Sequence, residues 1–224
     1  MLEDLCPGAL FDLSHTAAAA LLENAAYPWE ILEELGAFIE RAGGSLSAAE
    51  YDNPAPGVWV HRTAVVYPNV YFGQRVIIGA HTEVRPGAFV RENALVGAGC
   101  VVGNSTELKN VILFDGVQVP HYNYVGDSVL GYKAHMGAGA ITSNVRGDKQ
   151  PVSVRVGDEK LPTGRKKVGA FLGDGAEIGC GAVLNPGCVV GRGAQVYPLS
   201  SVRGWVPENS IYKAAGEITP RDLR

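Results

Sequence analysis

No apolar run in this sequence approaches the roughly twenty residues needed to span a bilayer as a helix, so a helical anchor is not expected. The opening Met1-Leu2-Glu3-Asp4 lacks the basic and apolar parts of a signal peptide. Cysteine is scarce, with four among 224 residues, and Cys6, Cys100, Cys180 and Cys188 have neither metal-binding nor redox spacing. These absences lead us to expect a reducing, cytoplasmic setting, in which the sequon Asn104-Ser105-Thr106 is a coincidence. Excess positive charge is missing too. A net charge of −4 and a pI near 5.7 give no general reason to expect a nucleic-acid partner.

Glycine, by contrast, is abundant at 29 residues, about twice the usual share. Many glycines fall immediately after the rungs of an apolar ladder with a period of six. Val60, Val66, Phe72, Ile78, Val84, Val90, Val96, Val102 and Leu108 stand on it without a missed step. Four residues after each rung comes a small or branched side chain, as in Ala64, Val76, Thr82, Ala88 and Cys100. The ladder resumes as Leu172, Ile178, Leu184, Val190, Val196 and Val202. Six is neither the 3.6 of a helix nor plain alternation. It is the hexapeptide period of a parallel β-helix, a mainly β fold whose large aliphatics fill a narrow interior. Cys188 shares the small slot with Cys100, where a thiol acts as a small apolar group.

Residues 1–50 differ in kind. Ser14 is a candidate cap for a helix through the alanines of residues 17–20, and Pro28 suits the first turn of a second helix. Ile31, Leu35, Phe38, Ile39 and Ala42 form one apolar stripe, stopped by Gly43-Gly44. The reading is then a helical segment over 1–50, a linker over 51–57, coils over 58–206 and a C-terminal tail over 207–224. Because stacked coils need covered ends, the helical segment and the tail are the candidate caps. The repeat slips by one residue between Leu108 and Leu113 and again between Val125 and Leu130. It disappears in an inserted loop over about 143–168, and such excursions are usually functional or disordered.

His121, beside Tyr122 and Tyr124 in the slipped region, is the first residue suited to proton transfer near neutral pH. A surface histidine bonded at a bend is the plainer alternative, since nothing local offers an orienting carboxylate. Five motifs sharpen this: Val84-Arg-Pro-Gly-Ala88, Glu107-Leu-Lys-Asn110, Pro120-His-Tyr-Asn-Tyr-Val-Gly-Asp127, Gly137-Ala-Gly-Ala-Ile-Thr-Ser-Asn144 and Thr163-Gly-Arg-Lys-Lys-Val-Gly-Ala170. In this order, over roughly residues 58–205, the chain resembles the C-terminal acetyltransferase domain of the bifunctional sugar-1-phosphate nucleotidylyltransferase/acetyltransferases, particularly their archaeal-type branch.

That resemblance implies a left-handed β-helix, a homotrimer, and acetyl-CoA-dependent N-acetylation of an amino-sugar 1-phosphate such as glucosamine 1-phosphate, within UDP-N-acetylglucosamine biosynthesis. It implies His121 as general base, with Arg85 and Lys109 on the sugar phosphate. Tyr124 and Asn144 would hold the sugar and orient its amine. Lys149 is a further candidate cation, equally readable as a solvated loop lysine. Arg165, Lys166, Lys167, Arg192 and Arg203 lie where coenzyme A phosphates would be met, although for each singly a solvated charge is the plainer reading. No metal is required.

Two departures stand out. His135 occupies a position that is asparagine in the bacterial enzymes, and no Gly-x-Gly-Thr-Arg loop of a nucleotidylyltransferase is found, so nucleotidyl transfer is not expected. Two other readings keep the coil: a non-catalytic sugar-phosphate or acyl-CoA binding module, and a γ-type zinc carbonic anhydrase. The latter is ranked last, because His61, His81, His121 and His135 lack the two histidines five apart that its site needs.

Overall fold

The chain is described by a computed structural model covering residues 2–214 and 216–222. Short parallel strands wind into a β-helix. Val60 pairs with Ile78 and Ile78 with Val96, so three hexads make one turn of the coil. Val66, Val84 and Val102 stack on the second face, and Phe72, Val90 and Leu108 on the third. The rungs from Ile78 to Leu108 are buried, as are the slot residues Val76, Thr82, Ala88, Ala94, Cys100 and Thr106. Burial of each aliphatic rung contributes about 1.5–3 kcal/mol, repeated along the axis. Desolvation in this interior pushes the Cys100 and Cys188 thiols up to about 12, so they serve as packing groups.

Three expectations are corrected. Residues 51–57 are not a linker: Tyr51–Ala55 forms a strand antiparallel to Val58–His61, covering the open edge of the first turn. The coil also runs past residue 206. Ser210–Ala214 pairs in parallel with Gln195–Val196 and folds back on Glu217–Pro220 as a hairpin over the last turn. The helical segment, finally, covers a side of the coil rather than an end. Its Phe11 packs on Phe114, Trp29 on Phe171, and Gly43 so close to Trp59 that an added Cβ would lie 2.4 Å from the ring. The reason is a column that the hexad pattern hides. Ile77, Leu95, Ile112, Val129, Phe171 and Val189 precede rungs on one face, point away from the interior, and are buried all the same. An outward apolar stripe along a whole face must be covered, and the segment covers it.

The segment itself is more broken than its pattern suggests, with α-helices at Pro7–Leu10, Ala19–Glu23 and Leu35–Gly44 joined by single turns. Ser14 caps none of them. It sits inside the turn Leu13–His15, where the Asp12 carboxylate accepts from the Ser14 amide at 3.0 Å, and the alanine helix starts later, at Ala19. Asp174 ties the segment to the coil by accepting from the Asp12 and Tyr132 amides at 2.6 and 2.8 Å. The inserted loop is ordered: Ser153–Val156 and Glu159–Pro162 form a hairpin that buries Val152, Val154 and Val156. Among the described residues no helix is long and apolar enough to cross a membrane.

Candidate active site

The slips of the repeat create the site. At the corner between the third face and the first, the two earlier turns spend three residues each, Gly73-Gln74-Arg75 and Arg91-Glu92-Asn93. The next turns run straight through, as the single strands Glu107–Leu113 and Tyr124–Leu130. Each bends at one left-handed residue, Asn110 at φ 55° and Asp127 at φ 49°, side chains whose short polar groups tolerate that conformation. Arg75 and Asn93 hold the same conformation below them, so four polar corners stack. Arg75 Nε donates to Asn93 Oδ1 at 2.6 Å, Asn93 Nδ2 to Asn110 Oδ1 at 3.1 Å, and Asn110 Nδ2 to Asp127 Oδ1 at 3.0 Å. The column of donors ends on a carboxylate that is 2% exposed.

Around Asp127 the structure gathers three of the expected residues. Lys109 Nζ lies 3.2 Å from Asp127 Oδ1, Asn144 Nδ2 donates to Asp127 Oδ2 at 2.6 Å, and the same amide donates to Tyr124 Oη at 3.1 Å. Tyr124 is held neutral, its phenol pushed up by desolvation first and by the Asp127 and Glu107 charges next. Asn144 arrives here because the excursion leaves the coil at this corner and returns to it. Val145 bridges Lys167, and the Val168 amide donates to the Asn144 carbonyl at 3.0 Å. Gly169 permits the closure, since a Cβ there would meet the Gly126 carbonyl oxygen at 2.0 Å.

Beside this cluster opens a cleft of about 560 Å³, lined by Lys109, Asp127, Arg165, Lys166 and Lys167 and, from the helical segment, by Leu32 and Glu33. Arg165 is paired with Glu33 at 3.2 Å, while Lys166 and Lys167 are exposed. Three lysines and an arginine against two carboxylates suit an anion such as a phosphate. Lys166 and Lys167 therefore stand with Lys109, the expected sugar-phosphate cation. A larger cleft of about 720 Å³ around Leu21, Glu34 and Phe38 holds none of the expected residues.

The remaining candidates lie elsewhere. His121 is exposed at the other edge of the third face, three residues before Tyr124, and among the described residues its imidazole makes no hydrogen bond. Arg85 is on the same edge as His121, two turns lower, and is paired with Glu83 at 3.2 Å. Lys149 is exposed in the turn that opens the excursion, its amide donating to the Arg146 carbonyl. Arg192 is drawn to the helical segment, donating to the Gly8 carbonyl at 3.3 Å and lying 3.6 Å from Asp174. Arg203 lines a separate cleft of about 420 Å³ with Arg146 and Arg155. His135 is bonded to Glu177 at 2.8 Å. Asp127 is the residue that motif reading passed over, although it closes the Pro120-His-Tyr-Asn-Tyr-Val-Gly-Asp127 stretch. The signal was the length of the shortened turn, which sets Asn110 and Asp127 one above the other.

Residues 74–159 match the family described as the GMPPB C-terminal domain. A bifunctional sugar-1-phosphate nucleotidylyltransferase/acetyltransferase of Sulfurisphaera tokodaii is 32% identical over 128 residues, which is 57% of this chain and 32% of the relative. The bifunctional protein GlmU of Methanococcus maripaludis strain C5 is 31% identical over 172 residues, 76% of this chain and 42% of the relative. The chain thus spans less than half the length of either. Among solved structures, the acetyltransferase domain of PglB from Neisseria gonorrhoeae, in complex with acetyl coenzyme A, is similar with a TM-score of 0.35 and 20% identity, over 73% of this chain and 57% of that one. A hexapeptide transferase family protein of Anaplasma phagocytophilum gives a TM-score of 0.39 and 15% identity, over 75% and 80%. The chain is thus similar to part of a bifunctional sugar-1-phosphate nucleotidylyltransferase/acetyltransferase and to part of a bifunctional GlmU protein.

Proposed function

We propose that this chain is an acetyl-CoA-dependent N-acetyltransferase acting on an amino-sugar 1-phosphate such as glucosamine 1-phosphate, assembled as a homotrimer in the cytoplasm, without nucleotidylyltransferase activity. The observation that carries the reading is the gathering of Lys109, Tyr124 and Asn144 on a buried Asp127, beside a cleft that adds Lys166 and Lys167. Residues far apart in sequence converge there, as a ligand site requires and a solvated surface does not.

In this reading the lysines meet the sugar phosphate, and the third face carries the sugar toward His121. His121 takes a proton from the amine as its nitrogen attacks the thioester carbonyl of acetyl-CoA. The tetrahedral intermediate collapses with cleavage of the carbon–sulfur bond, and the proton passes to the coenzyme A thiolate. Arg85, on the His121 edge, and Lys149, on the excursion, are secondary cations. Arg203, with Arg155 in the cleft that the paired Arg146 and Asp148 also line, is the stronger proposal for the coenzyme A phosphates, because Arg192 is already held by the helical segment.

The test is acetyl transfer from acetyl-CoA to a panel of amino-sugar phosphates, read as thiol release. His121→Ala should lower kcat by roughly 10²–10⁴, the range for removal of a general base, and leave sugar-phosphate binding unchanged. Equal rates for wild type and variant remove His121 from the mechanism. One feature favours a second reading, a binding module without catalysis: the His121 imidazole has no orienting partner among the described residues. Tight sugar-phosphate binding without thiol release in wild-type protein supports that alternative.

A further inference from the structure

We infer that Asp127 is the positioning residue of the site, dictating which way the Asn144 amide faces and balancing the charge of Lys109. This rests on the acceptor-site reading above. It follows from what surrounds the Asp127 carboxylate, which is buried and meets donors: the Lys109 ammonium, the Asn110 amide and the Asn144 amide. A carboxylate accepts and does not donate, so the Asn144 edge facing it has to be the NH₂ edge. Both hydrogens of that NH₂ are then used, one on Asp127 Oδ2 at 2.6 Å and one on Tyr124 Oη at 3.1 Å.

Two consequences follow. The Asn144 carbonyl oxygen is left as an acceptor with a fixed direction, able to take a hydrogen from the acceptor sugar's amine. The Tyr124 hydroxyl, already accepting from Asn144, keeps its own hydrogen to donate. Without Asp127 neither direction is determined, because an amide and a hydroxyl can exchange roles. Asp127 also lies 3.2 Å from the Lys109 ammonium and lowers the attraction of that cation for an incoming phosphate. It therefore orders the site at some cost in anion affinity, and turnover and phosphate binding should respond to its removal in opposite senses.

Asp127→Asn is the informative change, because asparagine tolerates the left-handed backbone and keeps the volume. An asparagine at this position can donate to the Asn144 carbonyl and let that amide turn over. Turnover on the amino-sugar phosphate should fall at least tenfold in kcat. Binding of glucose 1-phosphate, which has the phosphate and lacks the amine, should become several-fold tighter by calorimetry. The exchange variant Asp127→Asn with Asn144→Asp restores one carboxylate and one amide, and it should recover most of the lost kcat. Parallel loss of turnover and binding, or no change in either, overturns the inference, since a purely structural role predicts the first. Absence of turnover in wild-type protein overturns the acetyltransfer reading instead. In that event a crystal structure of the free protein decides: an Asn144 amide within hydrogen-bond distance of Asp127 upholds the positioning role, and one beyond 3.5 Å overturns it.

Discussion

Lys109, Tyr124 and Asn144 are set by neighbours on other turns of the coil, so their arrangement cannot be read along the chain. Their identities could be, because each sits in a recognisable motif. Asp127 stood in the same motif and was missed, since its role comes from stacking above Asn110 and from the return of the excursion. Lys166 and Lys167 show the same limit: sequence order made them candidates for coenzyme A, and only the bridge from Lys167 to Val145 reveals that they line one cleft with Lys109. A direct expectation follows for Lys167. Removal of a charge-assisted contact costs about 1.5–3 kcal/mol. Lys167→Ala should therefore raise the KM for the sugar phosphate roughly tenfold to a hundredfold with little change in kcat, as steady-state kinetics would reveal.

At the scale of elements, the hexads located most strands, because six-residue periodicity and side-chain burial coincide in this fold. The helical segment was harder. Its apolar stripe was legible, but the face it covers was not, since Ile77, Leu95, Ile112, Val129, Phe171 and Val189 form a column only once the turns are stacked. Asp174 links the two elements, and burial raises its carboxyl above the ordinary 3.8. Just above that value the folded protein binds more protons here than the unfolded chain does. Stability contributed at this site accordingly falls as pH rises through the window, and the cost is complete above it. Measured by urea unfolding, wild type should gain on Asp174→Asn as pH is lowered from 7 toward 4, and the opposite trend would contradict the burial of this carboxylate.

For the whole molecule, one side of the coil is covered by the helical segment and the other two faces are left open. Val65, Val66, Tyr67, Tyr71, Phe89 and Tyr197 are exposed on them, more apolar surface than a solitary β-helix has reason to display. Copies packed by these faces would enclose His121 and Tyr124, which agrees with the proposed trimer. Sedimentation should then give about three times the 23.6 kDa chain mass, and a monomer at micromolar concentration would refute it. By itself the sequence determined the coil and named candidate site residues, because a repeat of six and a motif are local patterns that survive without coordinates. Only the tertiary structure decided which face the helices cover, where the coil ends, and that Asp127 gathers Lys109, Tyr124 and Asn144. Those outcomes depend on turn length and on the path of an inserted loop, and contacts between turns exist only after the chain has wound.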